Sequence, residues 1–143
     1  MKILRNIRNS PGTANGAPER SGAATLELAV AAPLLVILVF GAIEMANAVF
    51  LKQSVNLAAY EAAKIITRPG QNQTLAETRV SEIMTARRVS NYTLSFSPTV
   101  TTATARGTQV TVTLSAPASN LSYGPLRFMT GKTVTAVVKM VRL

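Results

Sequence analysis

The chain has no cysteine, no histidine and no tryptophan, and its only acidic side chains are six glutamates. Without cysteine there is no disulfide framework and no thiolate metal site; without histidine the commonest general base and metal ligand is missing. Acid–base chemistry would fall to Glu19, Glu27, Glu44, Glu61, Glu77 and Glu82 alone. An enzyme would draw its acids from Glu61, Glu77 and Glu82, yet Glu61 has Lys64 three residues on, the spacing of a surface pair, and Glu77 falls in a capping pattern. The expectation is a non-enzyme with no metal, no cofactor and no small-molecule substrate. Aromatic residues are also scarce, 5% against 48% hydrophobic, so the apolar content is mostly Ala, Val, Leu and Ile. At 143 residues the chain is long enough for one small core and an anchor.

What is abundant is positive charge, and its placement decides its meaning. The net charge is +9, from 15 basic and 6 acidic residues. Residues 1–22 hold Lys2, Arg5, Arg8 and Arg20 against Glu19, four minus one, or +3; the other +6 is scattered from Lys52 to Arg142. No basic patch interleaved with aromatics forms, which argues against nucleic acid. Basic residues ahead of an apolar segment fit membrane topology instead.

That segment is AATLELAVAAPLLVILVFGAIE, with no charge between Leu28 and Ile43. As a helix, Ala23–Ile43 would reach roughly 31 Å, enough for a bilayer core. The positive-inside rule then places the N-terminus in the cytoplasm and the C-terminal part outside the inner membrane. Beyond Glu44 the helix is predicted to continue as an amphipathic half, with Ala48, Leu51, Val55, Ala58, Ala62 and Ile65 on one face, until Pro69-Gly70 ends it. Thr74-x-x-Glu77 is a capping-box pattern opening a short helix with Ala76, Val80, Ile83 and Met84 as its apolar stripe. Period-two alternation follows at Tyr92, Leu94 and Phe96, at Val110, Val112 and Leu114, and in the last segment KTVTAVVKMVRL. The fold expected is α+β: a long membrane-spanning helix whose amphipathic half packs on a small antiparallel sheet, plus one short helix. Its organisation would be a basic leader over 1–22, a span over 23–47 and an exported domain over 48–143.

The junction Arg20-Ser-Gly22-Ala23-Ala-Thr-Leu-Glu27 is the most informative stretch. A Gly closes a polar basic leader, the apolar run starts at the next residue, and a Glu stands five places after that Gly; Gly12 and Gly16 lack this spacing. The arrangement resembles the signal sequence of type IV pilin-like proteins, which implies cutting by a prepilin peptidase between Gly22 and Ala23. A new α-amino group on Ala23 would then be available to pair with Glu27, commonly that of a neighbouring subunit in such filaments. Taken alone, Glu27 at the positive end of a helix dipole is an equally good reading.

The wider segment resembles the N-terminal region of the TadE-like (TadE/TadG) family. Glu27, Ala32-Pro33-Leu34-Leu35, Gly41-Ala-Ile-Glu44 and Asn56-Leu-Ala-Ala-Tyr-Glu61-Ala-Ala-Lys64 occur in that family's order. One departure is Leu28, where processed members of this pilus class tend to carry an aromatic residue. The resemblance implies a pilin-like fold and a minor pilin or pseudopilin of the tight-adherence (Flp) pilus. Its partners would be the inner membrane, the prepilin peptidase, the assembly ATPase and platform, and other pilin-like subunits. Pro33 would bend the helix or let it locally unwind, because it removes an amide and leaves the carbonyl of Ala29 without its partner, unless it is simply tolerated as prolines in membrane helices are. Gly41 would allow close helix approach, and Glu44 would lie at the outer interface, with the family's recurrent Glu leaving a packing role open for it. Two alternatives remain: an uncleaved single-pass assembly factor of the same family, and a binding or adhesin domain released after Ala48 at Ala46-Asn-Ala48.

Overall fold

The computed structural model describes residues 18–121 and 129–143. Residues 1–17 of the leader, and Gly124 and Pro125 of the last loop, lie outside the described residues. Helix α1 spans Pro18–Ile66 and α2 Gln73–Ala86; strands β1 (Thr93–Ser97), β2 (Gln109–Pro117) and β3 (Thr133–Val141) follow. The strands form one antiparallel sheet in the order β1-β2-β3. This is the α+β arrangement expected from the sequence, with two α-helices and three strands among the described residues.

Helix α1 begins five residues earlier than the apolar pattern predicts, at Pro18 instead of Ala23. Proline suits a first helical turn, because its φ is already helical and its missing amide would have had no partner there. The helix passes unbroken through Pro33. Over residues 22–36 every side chain is exposed except half-buried Ala32, and Leu26, at 67% exposure, is typical of its large apolar residues.

The second compact unit runs from Ile37 to Leu143 and holds the core. From Leu51 the helix buries one face: Leu51, Ser54, Val55, Ala58, Ala59, Ala62, Ala63 and Ile66. The predicted stripe holds at Leu51, Val55, Ala58 and Ala62, whereas Ala48 and Ile65 are half-buried and Ile66 is fully buried instead. The paired alanines widen the buried face without adding bulk, so the larger volumes come from β2, where Val110, Val112 and Leu114 are fully buried. Strand β2 is central and alternates strictly, with Thr111, Thr113 and Ser115 turned to the other face. Helix α2 contributes Ala76, Val80 and Met84 to the same core. The hydroxyl of Ser54 donates to the Phe50 carbonyl (2.8 Å), which satisfies it inside the helix.

The start of α2 corrects the predicted capping box. Asn72 is the N-cap, its side-chain oxygen accepting from the Leu75 amide at 3.1 Å. Thr74 lies inside the first turn, and Glu77 accepts from the Gln73 side chain at 2.8 Å. An Asn at N-cap satisfies an otherwise orphaned helix amide as well as Thr does, and it stands two residues nearer the Pro69-Gly70 turn.

The last residues of the chain close the structure. Arg142 is 2% exposed, and its guanidinium donates to the carbonyls of Ile66 (2.7 Å) and Gln71 (3.2 Å). The Leu143 amide donates to the Thr67 carbonyl at 2.9 Å. The bonds to Ile66 and Thr67 meet the end of α1, where carbonyls have no intrahelical partner and the helix dipole favours a cation, and the bond to Gln71 holds the turn ahead of α2. Arg142→Ala is therefore expected to lower unfolding stability by about 2–3 kcal/mol in a denaturant titration. The exposed Lys139→Ala should stay within about 0.5 kcal/mol of the parent.

Candidate functional site

Glu27 is exposed on α1, among exposed apolar neighbours. With Leu26, Val30, Ala31 and Leu34 it lines a shallow apolar groove on one side of the helix. The spacing explains the lining, because residues 27, 30, 31 and 34 fall on one helical face. Among the described residues, no Lys or Arg forms an ion pair with Glu27; the two pairs found there are Lys64–Glu61 (3.9 Å) and Arg79–Glu82 (3.0 Å). A carboxylate set in an apolar stripe is costly to place in a low-dielectric surrounding unless a cation meets it.

Gly22 lies inside α1, so the Gly22–Ala23 bond is helical. Gly41 is half-buried, and a Cβ placed on it would meet no atom within 4 Å; the same space surrounds Gly22. Neither glycine is required by packing within the chain.

Of the two roles open to Glu44, the structure bears on packing. Glu44 is 3% exposed and engaged in an interaction, so the fold takes it up. The physical reason is its helical phase: residues 44, 51, 55, 58 and 62 share one face, and that face is the buried one. Spacing from Leu51 backwards carried this signal in the sequence. The Ala48–Val49 bond, where a secreted form would begin, lies within the continuous helix.

The three glutamates open to an enzymatic reading do not converge. Glu61 faces Lys64, Glu77 accepts from Gln73, and Glu82 pairs with Arg79. Among the described residues no group of three or more carboxylates is placed to hold a metal ion. Sequence reasoning missed the role of Arg142, since a penultimate arginine has no signal that distinguishes it from a surface charge.

Among the described residues one helix, over Gly22–Ile66, is long and apolar enough to cross a membrane, and α2 and the three strands build a small α+β core with its second half. That defines a class: a protein with an N-terminal apolar anchor helix and an appended helix-on-sheet unit. The TadE-like protein family model matches residues 22–64, the apolar run and most of the amphipathic half of α1, and the chain is similar to that family over this segment. No curated protein and no solved structure matches the chain.

Because no atom crowds position 41, Gly41→Ala should leave the fold intact and raise stability by about 0.5–1 kcal/mol, read as a higher melting temperature. A loss of stability would show that Gly41 is used in packing within the chain.

Proposed function

We propose that this chain is a minor pilin or pseudopilin of a tight-adherence pilus, processed by a prepilin peptidase after Gly22. The TadE-like assignment points to a Tad pilus-associated structural component with an N-terminal apolar helix. The observation that carries the finer reading is that the family match opens at Gly22, the residue at which the basic leader gives way to the apolar run. In this reading the leader stays on the cytoplasmic side of the inner membrane and the α+β unit is carried across. Cleavage frees the Ala23 amine, and Glu27, exposed in its groove, takes the amine of an adjacent pilin-like subunit as its cation. Pro33 lets α1 bend as subunits pack. The peptidase must first open the helix around Gly22, and a glycine lowers the cost of doing so. The assembly ATPase and platform then handle the subunit through the anchor helix.

A second reading, an uncleaved anchor that assists assembly from the membrane, is favoured by two observations: α1 extends through Gly22 to Pro18, and Leu28 replaces the usual aromatic. Release after Ala48 is disfavoured, since it would cut α1 just ahead of the turn that carries core residue Leu51.

Co-expression with a cognate prepilin peptidase is expected to give an intact mass corresponding to residues 23–143, and a bulky Gly22 variant to remain unprocessed while still inserting. An unchanged mass for the parent protein would favour the uncleaved assembly factor. Glu27→Ala should reach the membrane at normal levels but enter pilus assemblies at least severalfold less; full incorporation would remove the charge-pairing role.

A further inference from the structure

The burial of Glu44 changes what the outer part of α1 can touch. In the sequence the charge-free run stops at Ile43, but in the fold Glu44 turns inward and presents no charge to the surroundings. The exposed side chains that follow are Met45, Ala46, Val49 and Phe50, and the first exposed charged residue after Glu27 is Lys52. Lipid-compatible surface thus continues about two turns beyond Ile43, roughly 12 Å. The headgroup zone on one side of a bilayer is about 5–8 Å deep, so the helix stretch from Met45 to Lys52 spans it.

At this level α1 meets the C-terminal end of α2. The guanidinium carbon of Arg87 lies 5.1 Å from the centre of the Phe50 ring, and Arg88 follows, exposed, in a left-handed backbone conformation (φ 56°). Among the described residues no carboxylate pairs with Lys52, Arg87 or Arg88. A ring beside unpaired cations at the end of an apolar span is the combination that the interfacial zone accommodates, with the ring among the acyl–headgroup boundary atoms and the cations on phosphate.

We propose that the α+β unit rests on the bilayer surface where its span ends, with Phe50 in the interface and Lys52, Arg87 and Arg88 on anionic phospholipid headgroups. The proposal rests on the reading of α1 as a membrane anchor. Seating fixes the height and rotation of the unit above the lipid before any assembly partner is met.

The absence of cysteine permits single labelling sites in the full chain. Ala86→Cys places a fluorophore beside Arg87, and Thr74→Cys places one near the other end of α2, about 18 Å along the helix; both positions are exposed. The labelled proteins are reconstituted into vesicles of phosphatidylcholine with or without phosphatidylglycerol, floated, and exposed to a headgroup-attached quencher. Quenching at position 86 is expected to exceed that at 74 severalfold in anionic vesicles. It should fall to the level at 74 in Arg87→Gln/Arg88→Gln, and return in Arg87→Lys/Arg88→Lys. Equal quenching at both positions in floated protein, or quenching indifferent to lipid charge and to the arginines, overturns the headgroup contact and leaves the anchor standing. Protein that does not float with the vesicles overturns the anchor itself, and the contact with it.

Discussion

One helix has to satisfy two kinds of surroundings, and most features of this chain follow from that constraint. Backbone amides inside α1 are bonded within the helix whatever lies outside, so the same element can pass from apolar surroundings into a protein core without rearranging its main chain. Only the side chains change. Up to Val36 large aliphatic residues face outward almost all round, whereas from Leu51 a face of Ala, Val and Ile turns inward and charged or amide residues return to the opposite side.

The inward face is made mostly of small residues, and this sets what the sheet must supply. Ala58, Ala59, Ala62 and Ala63 bury little area each, so the core depends on Val110, Val112 and Leu114 of β2 and on Met84 of α2. Because β2 has a neighbour on both edges, its backbone is bonded on both sides, and its period-two pattern has only one register that keeps those residues inside. Arg142 then joins the residue after β3 to the end of α1 through the Ile66 carbonyl and to the turn before α2 through the Gln71 carbonyl. A long cationic side chain buried there answers orphan carbonyls that would otherwise be sealed from water.

Several parts of this were legible in the residues. The apolar run, the face at Leu51, Val55, Ala58 and Ala62, the turn at Pro69-Gly70 and the alternation at Val110, Val112 and Leu114 follow from periodicity, which reports local geometry directly. The cap of α2 was misread at Thr74, because two polar residues two positions apart can each serve, and the path of the preceding turn selects Asn72. A charge at the end of an apolar run looks like the run's boundary, and the burial of Glu44 comes from its phase relative to Leu51. Glu27 and the small spaces at Gly22 and Gly41 stand open in the described fold, the condition expected of positions kept for contacts outside the chain.

The sequence by itself determined the elements and their amphipathic faces, the location of an apolar span and the likeness of residues 22–64 to the TadE-like family, since each of these depends on residues near one another along the chain. Only the tertiary structure decided what covers the face that Glu44 shares with Leu51, the seat of Arg87 against Phe50 and the closure of α1 by Arg142. Each of those joins groups distant in sequence, or fixes a helical phase against a partner surface, and no local pattern records which partner a side chain will meet.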